Sequence, residues 1–436
     1  MEPRSTETAS EAYVQRRIGV VDPARQQVGG HHLTSLELLE KALRPEVPAF
    51  HVNRASSPDI AQVLSDVRFS FSTDPERPTP QRRKRKSKPR RWQLWQLMRR
   101  ARGYPPDILD GNCYREDLLE IISGYDSADH LIFPTTKADT LASLISVIRH
   151  IGTENIPHLH LRFLEYAPKP DRDLARGSFE QLSGLAASCP QIHLYTETET
   201  LRRYLMSRFG FREIGKSILQ PTKADPNLRR SYAVENGTIS VGYVGGGLRK
   251  DKGYQRLPAI FGAALQKLKS AALAERTRFV VQISNDRRGR NLKQRLLAIP
   301  GLEPTQLKIV SGDLNLADFS ALLASCDMLV FPYSDEKKAQ MISSGILIDA
   351  VINAVPVICS PIETLTEFVG DDTGAIADSD EEFANAIVRM ATDLEIYKKG
   401  AARYAESFRD SMSGNDLIKS VIGTIDSDRH IAGRQR

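Results

Sequence analysis

Three consecutive glycines, Gly245, Gly246 and Gly247, follow an apolar segment and precede a predicted helix. Because glycine has no Cβ atom, the backbone here can approach a diphosphate closely, and nearby N–H groups supply positive potential. The spacing is not the GxGxxG of dinucleotide-binding proteins, which disfavours a nicotinamide cofactor. The loop therefore indicates phosphate binding, and the alternative is a tight turn that needs glycine only for its backbone conformation.

Two cations, Arg249 and Lys252, come shortly after this loop. Positive side chains beside a diphosphate can neutralise the charge that develops when the diphosphate departs as a leaving group. On a solvated helix start the same side chains would carry no function. Together with the glycines they predict a catalytic phosphate site.

A second candidate segment contains Ser343, Ser344 and Gly345, just ahead of a predicted helix that carries Asp349. Small hydroxyl side chains at a helix start can cap the helix and can also donate to an anion. Asp349 could accept hydrogen bonds from ribose hydroxyls. Since burying an unpaired carboxylate is costly, we expect Asp349 to have a polar partner.

Strands alternate with helices in both halves of the chain, which predicts parallel sheets covered on both faces. At 436 residues the chain suits two domains of roughly 200 residues each. We expect an α/β fold with two Rossmann-like domains facing each other across a cleft. The predicted boundaries are a flexible tail at 1–15, an N-terminal acceptor domain at 16–217, a polar linker at 218–230, a C-terminal domain at 231–412, and a C-terminal helix and tail at 413–436 that can return to the N-terminal domain.

The motifs resemble those of the GT-B glycosyltransferases. VGGGLRKDKG is similar to their VGR…KG loop, and SSGILIDAVINAVPVICSP is similar to the donor segment that ends in EA..G.PVI.S. The order and spacing of the two agree with the large retaining family, which binds nucleotide sugars. The resemblance implies that Arg249 and Lys252 bind the donor diphosphate. It implies donor contacts from the second segment and a base pocket in the stretch between them, involving Ser343, Ser344, Gly345, Asp349, Gly312 and Asp313.

The chain also departs from this family. Many relatives carry two glutamates eight residues apart, where this chain has Met341 and Asp349. Gly246 replaces the arginine that usually follows the first loop glycine, so Arg249 would act from a shifted position. These differences leave the stereochemistry of transfer open.

In the N-terminal half, Gly29, Gly30, His31 and His32 occupy the place where such enzymes present a glycine loop toward the cleft. A histidine there could act as a general base or bind the transferred sugar, since its pKa lies near neutrality. A helix start with two exposed imidazoles is the alternative.

Arg162 and Glu165 lie near the end of a predicted strand, and ligands bind at strand ends in open α/β sheets. We consider both as cleft or acceptor residues. The alternative is a structural ion pair.

A basic insertion at about 73–103 interrupts the first half of the chain. Its cations and tryptophans match a segment that lies on an anionic membrane, and they also suit nucleic-acid binding, although we consider nucleic acid the less favoured partner. A solvated loop is the simplest alternative. The residues concerned are Arg82, Arg83, Lys84, Arg85, Lys86, Trp92 and Trp95.

Composition narrows the class further. The net charge is +6, the four cysteines have no CxxC spacing, and no apolar run approaches the ~20 residues that cross a bilayer. We expect reduced structural cysteines and a cytoplasmic location, with peripheral contact at the inner face of a membrane as an option. No metal cluster stands out, and DSD at 378–380 suits a helix cap.

These observations lead to one principal hypothesis: a metal-independent hexosyltransferase that moves a sugar from a nucleotide diphosphate sugar to a carbohydrate, glycolipid or other acceptor in polysaccharide or glycolipid synthesis. The nucleotide sugar would be a substrate, and no cofactor is expected. One alternative is a non-catalytic GT-B-like module that acts at a membrane or nucleic-acid assembly. Another is a sugar-nucleotide epimerase, which would need a pair of cleft carboxylates.

Overall fold

The computed structural model describes residues 16–24, 31–72, 113–166, 172–218, 237–245, 247–334, 341–413 and 415–434. Within them the chain forms two sheets, and every strand pairing is parallel. A parallel sheet requires crossover connections, which are the helices that cover its faces.

The N-terminal sheet has seven strands in the order β3-β2-β1-β4-β5-β6-β7. The order reverses next to β1, which is the arrangement of a doubly wound sheet. The strands are β1 (Ile18–Asp22), β2 (Ala49–Asn53), β3 (Asp66–Phe71), β4 (His130–Thr136), β5 (His158–Phe163), β6 (Ile192–Thr196) and β7 (Gly215–Lys216).

Helices cover both faces of this sheet. Helix α1 (His31–Leu43) packs on one face, while α2 (Cys113–Ser123), α3 (Ala138–Ile151), α4 (Arg172–Ser188) and α5 (Glu199–Phe209) contribute to the core on the other. Alternate strand residues point to opposite faces, so Leu131 and Phe133 belong to one core and Ile132 to the other.

The C-terminal sheet has six strands in the order β10-β9-β8-β11-β12-β13. The strands are β8 (Ile239–Tyr243), β9 (Thr277–Ile283), β10 (Leu307–Ser311), β11 (Met328–Phe331), β12 (Val357–Cys359) and β13 (Gly374–Ile376). The helices are α6 (Leu257–Ser270), α7 (Arg287–Leu297), α8 (Leu316–Ala324), α9 (Gly345–Ile352), α10 (Glu363–Thr366), α11 (Asp380–Thr392) and α12 (Leu394–Ser413).

The last helix, α13 (Asp416–Arg434), packs on the N-terminal sheet. Leu417, Val421 and Ile425 belong to the same hydrophobic cluster as residues of β1, β2 and α1. The chain leaves the N-terminal sheet and returns to it at neighbouring points. The Lys216 amide donates to Asp416 at 2.7 Å, and the Asn415 side chain donates to the carbonyl of Ile218 at 3.4 Å.

Four histidines stack across β4, β5 and β6. His130 contacts His160, and His158 contacts His193, each through ring nitrogens 3.0 Å apart. His160 also reaches the Tyr195 hydroxyl at 3.1 Å. Burial lowers the pKa of all four imidazoles, to about 3 for His130 and about 4 for His193. The cluster is therefore neutral near pH 7.

The two Rossmann-like domains confirm the predicted fold class. The domain boundaries stay predictions, because most of the linker at 218–230, the tail at 1–15 and the basic insertion at about 73–103 lie outside the described residues. Among the described helices, none is both long and apolar enough to cross a bilayer. Cys189, Cys326 and Cys359 are buried and free.

Candidate active site

The glycine loop after β8 is tied to the ends of β9 and β10 by one glutamine. The Gly245 amide donates to Gln282 Oε1 at 2.8 Å, and Gln282 Nε2 donates to the Gly312 carbonyl at 3.1 Å. Gly245 and Gly312 have φ values of +112° and +90°, which strongly favour glycine. Three neighbouring strands therefore present their carboxyl ends as one connected edge.

The glycine loop and helix α9 meet at this edge. A Cβ atom placed on Gly245 would lie 2.1 Å from Ile346 Cδ1 and 3.9 Å from Lys252 Nζ. The loop, the lysine and the first turn of α9 are therefore immediate neighbours. The two sequence motifs converge on one side of the C-terminal sheet, as a shared phosphate site requires.

The cations sit on a tight turn that follows the loop. Residues Lys250–Lys252 form a single 3₁₀ turn that ends at Gly253, whose φ is +67°. Arg249 is half-exposed and forms an ion pair with Asp251 at 2.9 Å. Desolvation, together with the charge of Arg249, lowers the pKa of Lys252 to about 8. Lys252 thus carries a positive charge in a poorly solvated place, where an anion would be attracted strongly.

The serines before α9 have partners that the sequence did not indicate. Ser344 stands at the N-cap position but does not cap the helix, because its hydroxyl bonds to the Tyr333 hydroxyl at 2.9 Å. The expected capping role of this hydroxyl is therefore wrong. Ser343 donates its hydroxyl to Glu197 of the N-terminal domain.

Asp349 lies one turn into α9 and is 5% exposed. Its Oδ1 atom has no hydrogen-bond partner among the described residues. Desolvation, together with the charge of Glu197, raises the pKa of Asp349 to about 8. At neutral pH the side chain is therefore mainly a neutral carboxylic acid, which can donate as well as accept a hydrogen bond.

Arg162, expected to face the cleft beside Glu165, is buried in an ion pair with Glu197 at 2.7 Å. Its other nitrogens donate to the carbonyls of Ser217 and Pro134, both at 2.9 Å. Each of the three guanidinium nitrogens donates a hydrogen bond within the protein, so Arg162 has a structural role in this conformation. Glu165 is half-buried and is not the ion-pair partner recorded for Arg162.

A second carboxylate crosses the domain interface in the opposite direction. Glu367 of the C-terminal domain accepts the amides of Glu199 at 3.2 Å and Thr200 at 3.0 Å, and also the Thr200 hydroxyl at 3.0 Å. These groups form the first turn of α5, where the helix dipole favours negative charge. Sequence reasoning identified neither Glu197 nor Glu367.

An open groove of about 740 Å³ lies between the domains. Arg203, Tyr204 and Met206 of α5 line it on one side, and Met341 and Glu363 line it on the other. Met341, which stands where relatives have their first glutamate, has a φ of +52° and packs against the N-terminal core. This position therefore supplies an apolar contact between domains.

The structure also gives the place of several other predicted residues. Asp313 is exposed, Gly345 begins α9, and Gly247 has open space around its Cα atom. His31 and His32 begin α1, but their side chains lie outside the description, as do Gly29, Gly30 and Gly246 entirely.

The DSD segment caps a helix as expected. Ser379 and Glu382 form a capping box at the start of α11, and Asp380 pairs with Arg256 at 2.6 Å. Within the described ranges, no group of three acidic, histidine or cysteine side chains is arranged to hold a metal ion.

Comparisons with known proteins agree with this arrangement. Residues 239–393 match the model of the family described as glycosyl transferases group 1. The family match confirms the predicted glycosyltransferase activity, and the two-domain fold is that of the GT-B class. Its C-terminal half contains the group 1 domain.

Solved structures share the whole fold at low sequence identity. Anabaena HepE in complex with UDP-glucose is 13% identical with a TM-score of 0.58, covering 95% of this chain and all (100%) of that one. A glycosyltransferase from Rickettsia africae is 13% identical with a TM-score of 0.58, covering 94% of this chain and 99% of that one. The N-terminal domain of Candida albicans trehalose-6-phosphate phosphatase is 13% identical with a TM-score of 0.59, covering 97% of this chain and 100% of that one. Among curated proteins, no sequence matches the chain significantly.

Proposed function

We propose that the enzyme transfers a sugar from a nucleotide diphosphate sugar, bound by the C-terminal domain, to an acceptor held against the N-terminal domain. The observation that carries this proposal is the close approach of Gly245 and Ile346, with Lys252 beside them. A loop without side chains, a helix start and a desolvated cation at one strand edge suit a pyrophosphate group.

The chemistry of transfer places its demand on the leaving group. When the sugar departs, negative charge develops on the diphosphate, and groups that meet this charge lower the barrier. Arg249 and Lys252 supply two positive charges. The backbone amides at the start of α9, near Ser344 and Gly345, would donate hydrogen bonds to the same diphosphate. The cations would neutralise the diphosphate themselves, so we propose that transfer needs no metal ion.

Asp349 would contact the donor through its unpartnered Oδ1 atom. A hydroxyl-rich group such as ribose or a hexose can satisfy this buried atom, which otherwise carries a desolvation cost. Ser343 and Ser344 would contribute mainly through their backbone, since their hydroxyls already have protein partners.

The acceptor would enter the groove between the domains. Its lining combines the exposed Arg203 with Tyr204, Met206 and Met341, which suits a sugar carried on an apolar or anionic group, as in a glycolipid. Peripheral membrane contact through the basic insertion would bring the enzyme to such an acceptor. A polysaccharide acceptor stays the second candidate.

The donor can be tested with a thermal-shift panel of UDP-, GDP- and ADP-sugars, because a ligand that binds the folded state raises its apparent stability. UDP-glucose is the first probe, since a protein of the same fold was solved with it. We expect one nucleotide series to raise the melting temperature. No shift with any of them would contradict the proposal.

Catalysis can be tested with Arg249→Ala. We expect turnover to fall about tenfold or more, because the arginine would stabilise the leaving group. Folding should stay intact, because the side chain is half-exposed. Arg278→Ala is the matched control, since Arg278 is exposed near the start of β9, at the opposite end of the strand. Unchanged turnover in Arg249→Ala would contradict the assigned role.

A further inference from the structure

Glu197 follows β6 directly, at the carboxyl edge of the N-terminal sheet, and is 5% exposed. One of its oxygens accepts from Arg162 at 2.7 Å. Arg162 is itself held by the carbonyls of Ser217 and Pro134. Because a buried charge needs a charged and hydrogen-bonded partner, this pair fixes the Glu197 carboxylate in one place.

The second oxygen of Glu197 points across the domain boundary, where it accepts the hydroxyl of Ser343. Ser343 is 4% exposed and lies two residues before the start of α9. Helix α9 in turn carries Ile346, which touches the glycine loop, and Asp349, whose pKa is raised by desolvation and by the charge of Glu197. The contact at Ser343 therefore lies next to the helix that packs against the glycine loop and carries Asp349.

We propose that Glu197 is a positioning residue, through which the N-terminal domain holds the start of α9 in the geometry that binds the nucleotide sugar. The Ser343 hydroxyl serves this contact and does not touch the donor. The inference rests on the proposed function, because it assigns a role in donor binding.

The energetics favour a positioning role. A hydrogen bond to a charged group is stronger than one between neutral groups, and it has a preferred direction. The contact is also shielded from water, which preserves its strength. Rotation of one domain away from the other would break it, so donor geometry depends on how the two domains are placed.

Glu367 offers a natural control. It is also a partly buried carboxylate at the interface, but among the described residues its hydrogen bonds go to the first turn of α5 and not to residues 343–349. A loss of interface stability alone would therefore be reproduced by Glu367→Gln. A loss of donor geometry would not.

The test is a double-mutant cycle with Ser343→Ala, Glu197→Gln and the double variant, in the full-length enzyme. The affinity for UDP-glucose, or for GDP- or ADP-glucose if one of these stabilises the wild type more, is measured by titration. We expect each single variant to bind about tenfold more weakly and the double variant to be no weaker than the weaker single one. Glu367→Gln should lower the melting temperature and leave donor affinity unchanged.

The result that would overturn the inference is additivity, in which Ser343→Ala weakens binding by the same factor with and without Glu197. This result would mean that the serine contacts the donor directly. If Glu197→Gln fails to fold because Arg162 loses its charged partner, Glu197→Asp takes its place in the cycle, since it keeps the charge and shortens the reach to Ser343. Unchanged donor affinity in Ser343→Ala contradicts the proposal, because this variant keeps the ion pair intact. Loss of affinity with an unchanged acceptor KM supports it.

These outcomes are separate from a failure of the proposed function. If the wild type binds no nucleotide sugar, the function itself is wrong. If the wild type binds one and the cycle is additive, only the role of Glu197 is wrong. Glu197→Asp, which keeps the charge, should recover part of the affinity lost in Glu197→Gln.

Discussion

Gly245 and Ile346 are far apart in sequence, yet the end of the Ile346 side chain occupies the place that a side chain on Gly245 would take. A Cβ atom on Gly245 would lie 2.1 Å from Ile346 Cδ1. This single contact joins the loop after β8 to the first turn of α9. Any substitution would have to displace the end of the Ile346 side chain, at a φ of +112° that already favours glycine.

Substituting Gly245 tests whether this approach matters. Gly245→Ala adds a methyl group at a φ of +112° and against Ile346, so we expect donor affinity to fall at least about tenfold and the melting temperature to fall. Gly210→Ala is the control, because it adds a methyl group at a φ of +71°, outside the glycine loop, and its Cβ atom would meet nothing within 4 Å. Equal effects of the two substitutions would argue against the close approach.

Donor binding should depend on the proton of Lys252. Because burial holds its pKa near 8, the side chain is positive below pH 8 and becomes neutral above it. We expect the Kd for UDP to rise progressively above about pH 8. Lys252→Arg should remove this dependence, since arginine stays charged, whereas Lys252→Met should bind weakly at every pH. An unchanged wild-type Kd between pH 7 and pH 9.5 would contradict the assignment.

Asp349 should make the protein less stable as pH rises. Its pKa is raised from 3.8 to about 8 on folding, so the folded state holds a proton that the unfolded state has already lost. Stability from this group is therefore greatest below about pH 4 and declines as pH rises to about 8. Asp349→Asn cannot ionise, so the variant should gain in melting temperature relative to the wild type over this range. A constant difference between the two proteins would show that Asp349 is already ionised.

The four stacked histidines should make the enzyme sensitive to acid. Their pKa values are lowered on folding, so below about pH 6.5 the unfolded state binds more protons than the folded state. Each histidine can add up to about 1.4 kcal/mol of lost stability per pH unit. His193→Gln should reduce the slope between pH 6.5 and pH 4, whereas exposed His150→Gln should leave it unchanged. Urea unfolding at several pH values measures both slopes.

The fold could be predicted from sequence because its signals are local. Alternating strands and helices specify two parallel sheets, and the glycine loop and the Ser-Ser-Gly segment mark their functional edge. A local pattern indicates which helix or strand a residue belongs to, and the rules for crossover connections then restrict how the strands are arranged in a sheet.

The interdomain contacts could not be predicted in this way. Glu197 and Ser343 are 146 residues apart, and Glu367 and Thr200 are 167 apart. Nothing in the neighbouring sequence distinguishes these glutamates from solvent-exposed ones. The same limit explains the wrong partner for Arg162, because Glu165 is near in sequence while Glu197 lies on the neighbouring strand's end. Ser344 does not cap α9 for a related reason, since its hydroxyl bonds to the hydroxyl of Tyr333, which is not its neighbour in sequence.

The adjacent crossings at Lys216 and Asn415 have a consequence for the integrity of the enzyme. The first connection, after Lys216, joins the two domains along the chain. The second, at Asn415, leads into α13, which packs on the N-terminal sheet. A protease site introduced between residues 219 and 236 would therefore yield two fragments that copurify, because the second fragment still carries the helix that completes the first. Removal of α13 as well would leave only the direct contacts between the domains, such as those of Glu197 and Glu367, to hold the fragments together.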